Sequence, residues 1–283
     1  MLTRRRFLRG LAGVAVLGAV GGGYSHFVEA EWLDITRRTV PAPQGWSGGA
    51  LRVAHVSDLH RSRTVSLPYL ARVVGDVAAL QPDLICLTGD YITICDRTSW
   101  DGYQEVLGGF AATAPTYAVL GNHDGGYWAG AYGGLSSTGT VAGLLDGAGI
   151  EVLENRSVVI NHRGRRIRLT GVGDWMNGAC RPCEAFAGVA PGPGELGLAL
   201  SHNPDSKDAL LPHPFHLLLC GHTHGGQIGF VPLARLFVHL EDKRYIAGLY
   251  RYQGRWLHIS RGVGNLHGLR IGCRPEVTLL EIG

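Results

Sequence analysis

Tyr117-Ala-Val-Leu-Gly-Asn-His-Asp124 is an apolar run that ends on a glycine and then presents three polar side chains in succession. A short run closed by Gly and Asn reads as a buried β-strand whose carboxyl end enters a turn. The arrangement recurs four more times. Leu51–Val56 leads to Asp58-Leu-His60, and Leu84–Leu87 leads to Gly89-Asp90. Leu196–Leu200 leads to His202-Asn203, and His216–Cys220 leads to Gly221-His222-Thr223-His224. Ile167–Val172 and Trp256–Ile259 read as further strands, while Pro68–Leu80 and Tyr103–Ala112 carry helical apolar spacing. Alternating strands and helices predict an α/β fold with a parallel portion. In such sheets ligands gather beyond the carboxyl ends of the strands. Five stretches therefore deliver their polar residues to one edge.

Taken singly, a strand-end Asp or His is most often a turn former. Five such clusters after five apolar runs need another explanation. Asp, Asn and His together are donors suited to divalent metals, and a two-ion site needs a carboxylate to bridge them. Asp58 and His60 are two residues apart, so a residual β-extension would project both to one side to chelate one ion. His222 and His224 repeat that spacing.

In this order, Asp58-x-His60, Gly89-Asp90, Gly121-Asn122-His123-Asp124, the lone His202 and Gly221-His222-Thr223-His224 resemble the calcineurin-like metallophosphoesterase superfamily. Thr223-His-Gly-Gly-Gln-Ile228, Ser260-Arg-Gly-Val-Gly264 and Arg274-Pro-Glu276 further resemble its branch of exported or membrane-bound bacterial phosphodiesterases of the YkuE and YaeI type. The resemblance runs from about Glu31 to the C-terminus. It implies an α/β/β/α sandwich of two mixed β-sheets flanked by helices. It further implies that Asp58, His60 and His224 hold one divalent ion, that Asn122, His202 and His222 hold a second, and that Asp90 bridges them. Mn, Fe, Zn and Co all suit such ligands.

The implied reaction is hydrolysis of a phosphodiester or pyrophosphate bond by a metal-bridging hydroxide. His123 would face the substrate as hydrogen-bond donor or general acid. A UDP-2,3-diacylglucosamine pyrophosphatase-type activity of lipid A synthesis and a phosphomonoesterase activity are the alternatives. Many relatives carry a second Asp three residues after the bridging one, where this sequence has Thr93. The partner that orients His123 is then sought at Asp96 or Asp124, and Asp124 is equally suited to capping its turn. A non-catalytic scaffold is disfavoured, because every expected ligand type is present.

The N-terminus reads separately. Thr3-Arg4-Arg5-Arg6-Phe7-Leu8-Arg9 is a basic head before an uncharged stretch from Gly10 to Ser25, resembling a twin-arginine export signal. Residues 1–30 are expected to be that signal or a membrane anchor, with one metallophosphoesterase domain over 31–283. The expected location is the periplasm or the outer face of the cytoplasmic membrane, reached by the twin-arginine machinery, with membrane association if the segment is retained. Residues 1–30 carry a net +3, equal to the whole chain's formal charge, so the body is neutral. A neutral body argues against nucleic acid as a partner. The resemblance implies instead a phosphate ester, such as a phospholipid or another cell-envelope component, as the substrate.

Cys180-Arg-Pro-Cys183 is the close cysteine pair, readable as a disulfide loop, as free thiols or, lacking a second pair, less readily as a metal site. Gly125–Thr140 reads as a glycine-rich loop whose aromatics either close over substrate or pin the loop down. Ile228–Val238 is an apolar stretch suited to core, membrane edge or substrate wall. Arg261, Arg270 and Arg274 suit either phosphate binding or ion pairing.

Overall fold

The computed structural model describes residues 18–47, 49–94, 100–266 and 268–283. Two six-stranded mixed sheets form the centre. The first runs in the order β1 (Asp34–Val40), β12 (Glu276–Ile282), β2 (Leu51–Val56), β3 (Leu84–Thr88), β4 (Thr116–Val119) and β5 (Glu151–Val152). The second runs β10 (Gly248–Tyr252), β11 (Arg255–Ile259), β9 (Leu217–Cys220), β8 (Leu196–Leu200), β7 (Arg165–Gly171) and β6 (Arg156–His162). In the first sheet β2, β3 and β4 are neighbours and parallel. In the second, β7, β8 and β9 are likewise parallel.

The central strands β3 and β9 are apolar on both faces because both are covered. Along β3, Leu84 and Cys86 face the second sheet, while Ile85 and Leu87 face the helices. The inter-sheet layer is built from Val53, Leu84 and Val119 against Leu169, Leu198 and Leu219. The outer face of the first sheet packs on the helices Leu67–Ala79, Tyr103–Thr113 and Gly139–Gly147. Ser66 caps the first of these by accepting from the Tyr69 N–H, and Pro68 lies in its first turn. Its buried Tyr69, Leu70, Val73 and Val77 recur at helical spacing. The second sheet's outer face carries the short helices Pro182–Ala185 and Lys207–Leu210, with Phe186, Phe215 and Tyr245 packed among them. This is the α/β/β/α sandwich.

Two edge pairings complete the sheets. β1 lies parallel to β12, with Asp34 opposite Glu276, and so joins the two ends of the chain. β10 and β11 form a hairpin on the other sheet. Gly125–Thr140 is not simply a loop, since it contains the short helix Tyr127–Ala131. Cys180 and Cys183 are free thiols. Among the described residues no helix is long and apolar enough to cross a membrane.

Candidate metal centre

Asp58, His60, Asp90 and Asn122 follow β2, β3 and β4 of the first sheet. His202, His222 and His224 follow β8 and β9 of the second. The parallel strands end along one edge of the sandwich, so the seven side chains converge there. All but His222 are almost wholly buried.

The backbone route differs from the expected β-extension. β2 stops at Val56, and Asp58 and His60 both adopt left-handed conformations with φ of 55° and 47°. Asp90, His222 and His224 do the same at 57°, 71° and 51°. Left-handed backbone is costly for residues with a Cβ and persists where the surroundings enforce it. Here the turns interlock: the Asp58 N–H donates to Gly89 O and the His60 N–H to Asp90 O, each at 2.9 Å. Gly121 allows the third turn to press on the second, since a Cβ there would strike the Asp90 carboxylate.

The donor atoms form a connected chain. His60 Nε2 lies 3.0 Å from His224 Nε2, and His224 Nε2 lies 3.3 Å from Asp58 Oδ1. His222 Nδ1 lies 3.0 Å from Asn122 Oδ1 and 3.3 Å from His202 Nε2. Between these groups stands Asp90, whose Oδ2 is 3.4 Å from His60 Nε2 and 3.2 Å from His202 Nε2. For metal–ligand bonds of about 2.1 Å, adjacent donors lie about 3.0 Å apart around an octahedral ion and about 3.4 Å around a tetrahedral one. The observed spacings fit divalent ions held by imidazole and carboxylate. His222 and His224, two residues apart, point into different groups and do not repeat the Asp58–His60 pairing.

Second partners fix the rings. His202 Nδ1 donates to Thr88 O at 2.7 Å, which turns Nε2 to the centre. His222 Nε2 faces His239 O at 3.2 Å, which turns Nδ1 inward. Burial opposes ionisation of Asp90, but His202 and then His123 hold its carboxyl well below the ordinary range. Burial likewise opposes protonation of His202, yet Asp90 and then Asp58 push it up to about 10. His222 is brought down to about 3, chiefly by burial and then by His202. A proton on His202 thus balances buried carboxylate charge, and a cation would compete for the same lone pair.

His123 lies against this chain, its ring 4.8 Å from that of His60. Its Nδ1 accepts from the Ile94 N–H at 3.1 Å, so Nε2 carries the remaining proton. Burial above all, and His60 and His202 besides, bring His123 down to about 4 against the pull of Asp90. The ring is therefore arranged as a neutral donor. Asp124 does not orient it. Asp124 Oδ2 accepts from the Asp90 and Gly121 N–H groups, both at 2.8 Å, and Oδ1 accepts from Tyr91 at 2.7 Å. It ties the second and third turns together, the capping alternative. Asp96 lies outside the described residues. A backbone donor such as Ile94 leaves no mark in sequence, so sequence reasoning misses it.

The candidate phosphate binders are engaged by protein groups, and Arg270 also lies 3.5 Å from His224 Nδ1. Arg270 is fully buried and donates to the carbonyls of Arg261, Gly262 and Cys273 at 2.9–3.1 Å. Arg261 pairs with Asp34 and Glu276, and Arg274 covers the Trp32 ring. Above the donors opens a cavity of about 880 Å³ that reaches Asp90, Asn122, His123, His222 and His224. From His123, Trp128 and Tyr132 continue as an aromatic wall, with centroids 5.1 and 5.0 Å apart in turn.

A two-sheet sandwich with carboxylates and imidazoles pooled at the strand ends is the framework of a metal-dependent phosphoesterase. The family model for calcineurin-like phosphoesterases matches residues 51–226, and the chain belongs to that family. It is an enzyme, a phosphoric ester hydrolase. It is 37% identical to phosphodiesterase YaeI of Escherichia coli (strain K12) over the full length of both chains. It is 27% identical to the uncharacterised metallophosphoesterase YkuE of Bacillus subtilis (strain 168), covering 99% of this chain and 98% of that one. UDP-2,3-diacylglucosamine pyrophosphatase LpxG of Chlamydia muridarum is 23% identical, covering 91% of this chain and 92% of that one.

Proposed function

We propose that the enzyme hydrolyses a phosphodiester of the cell envelope at a two-ion centre held by Asp58, His60, His224, Asn122, His202 and His222, with Asp90 shared between the ions. The observation that carries this reading is Asp90 Oδ2, set almost equally far from His60 and His202 at the floor of the cavity. Bound divalent ions would lower the pKa of water toward about 7 and neutralise the phosphoryl oxygens. The protein's own part is positional. His123 Nε2–H donates to the departing oxygen, and the aromatic wall beside it holds the ester and excludes water.

The basic head and uncharged run of residues 4–25 support export by the twin-arginine machinery. Ser25 Oγ donates to Arg270 O, and Glu29 accepts from the Cys273 N–H at 3.0 Å. These contacts favour retention of the segment as an anchor at the outer face of the cytoplasmic membrane.

The likeness to LpxG favours one second reading, cleavage of a pyrophosphate in a nucleotide-linked lipid. The test is hydrolysis of 4-nitrophenyl phosphate, bis(4-nitrophenyl) phosphate and UDP-2,3-diacylglucosamine by chelated enzyme reconstituted with Mn²⁺, Fe²⁺, Zn²⁺ or Co²⁺, with elemental analysis alongside. Activity should vanish on chelation, return with a transition metal and favour the bis-ester. Asp90→Asn should lower bound metal below two ions and cut kcat by about 10³-fold, the scale of a lost metal contribution. Full activity in metal-free protein would sink the proposal, and preference for the UDP-lipid would install the second reading.

A further inference from the structure

We infer that the enzyme works seated on a lipid bilayer, and that the cavity above the donors opens onto that surface to take the apolar part of an amphiphilic phosphodiester directly from it. This rests on the phosphodiesterase reading. The cavity is far larger than a phosphoryl group needs, and Trp128, Met176, Phe237, Leu266, Leu269 and Ile271 give it apolar walls. Such walls suit a hydrocarbon chain beside the reacting phosphate.

Two segments that line it are joined, and a third packs against one of them. Ile271 accepts from the Gly229 N–H at 2.8 Å and donates to Gln227 O at 3.0 Å, which binds the loop 264–273 to the stretch 228–238. On its other side the loop meets the N-terminal helical residues 18–27, where His26 Nδ1 lies 2.6 Å from Gly268 O. Large apolar side chains stand out from all three: Phe27 is 78% exposed, Phe230 66%, Leu236 73% and Ile271 56%. Exposed apolar side chains on segments joined in this way mark a contact surface.

Charge and chain direction identify the occupant. None of residues 18–27, 228–238 or 264–273 is Asp or Glu, although the chain has 23 of them. The basic residues Arg235 and Lys243 meet at the flank, where Lys243 Nζ donates to Arg235 O at 2.9 Å. Apolar side chains on segments without Asp or Glu, with Arg235 and Lys243 beside them, complement the headgroup boundary of an anionic bilayer. From Gly18 the sequence also runs back through the uncharged Gly10–Leu17 to the four arginines of the head. The chain itself thus leads from this face to a membrane-seeking segment.

The test compares two esters with the same scissile bond in the full-length, metal-loaded enzyme: methyl 4-nitrophenyl phosphate in solution, and hexadecyl 4-nitrophenyl phosphate in vesicles of phosphatidylcholine with phosphatidylglycerol. We expect kcat/KM for the hexadecyl ester to exceed that for the methyl ester by about 10²-fold, since each buried methylene adds to binding. In the double variant Phe230→Asp with Leu236→Asp, hydrolysis of the methyl ester should stay unchanged, while the hexadecyl ester in vesicles should lose about tenfold or more. Neither residue lines the cavity. Equal rates for the two esters, or a double variant that treats vesicles as the parent does, would overturn the inference while leaving phosphodiester hydrolysis intact. Failure to hydrolyse the methyl ester at all would instead count against the functional reading beneath it.

Discussion

At the scale of single residues, His123 separates holding ions from helping a leaving group depart. Its Nδ1 takes the Ile94 N–H, leaving one N–H to offer the substrate. Replacing His123 by Asn should leave metal content and KM nearly unchanged and lower kcat by about 10²–10³-fold, as removal of one preorganised donor does. The loss should be largest for an alkyl leaving group and smaller for nitrophenolate, which needs little help. Rates for two esters of different leaving-group pKa, with metal measured in the same samples, decide this. Loss of metal would make His123 a ligand, in keeping with the closeness of its ring to His60 and Asp90. The strand-end clusters pooled at this edge could be read from sequence because each follows an apolar run, while the choice of seven members as ligands came from the family resemblance. The left-handed backbone of Asp58, His60, Asp90, His222 and His224 could not be read, since nothing local distinguishes Asp58 or His60 from ordinary strand-end residues. The conformation is imposed by neighbouring turns from distant sequence.

Among the elements, the strands buried on both faces were legible. β2 and β8 match their apolar runs residue for residue, because burial of most positions on both faces leaves a largely hydrophobic stretch, interrupted in β2 only by Arg52 and His55. β1 and β12 were not, since Asp34-Ile-Thr-Arg-Arg-Thr-Val40 mixes charged and apolar residues and its partner lies at the other end of the chain. The second sheet entered through the family resemblance, not through periodicity. It meets the first partly through two buried imidazoles, His55 on β2 and His258 on β11, with their Nδ1 atoms 2.8 Å apart. Burial brings His258 down to about 4 and His55 well below its ordinary value. Between pH 6.5 and about 4 the unfolded chain therefore binds protons that the folded chain refuses, and stability falls as pH falls through that window. For His258 the total is about 3 kcal/mol. His258→Gln should reduce the slope of unfolding free energy on pH by about one proton, roughly 1.4 kcal/mol per pH unit. Urea titrations in the presence of chelator, which removes any contribution from lost metal, measure it. An unchanged slope would show that the pair does not govern acid stability.

For the whole molecule, residues 25–29 pack against the loop 268–273, part of which lines the cavity over the candidate ligands. If the arginine head is an address read by export machinery, Arg4→Lys together with Arg5→Lys should strand active enzyme in the cytoplasm without altering its specific activity. Cell fractionation with a phosphodiester assay on each fraction tests this, and normal export of the double variant would refute it. Residues 1–17 lie outside the described structure, so the expectation stands on their sequence alone.

The division of the donors between the sheets has a further consequence. Asp58, His60, Asp90 and Asn122 hang from one sheet, and His202, His222 and His224 hang from the other. Neither half of the chain owns a complete binding set, so a metal ion would act as an inspector of assembly. A chain whose sheets have not docked, or have docked one residue out of register, offers only weak partial sites. Tight metal uptake would then be the last event of maturation, and activity would appear only in molecules already correctly built. An enzyme that cleaves a common linkage would thereby be kept idle until its architecture is finished.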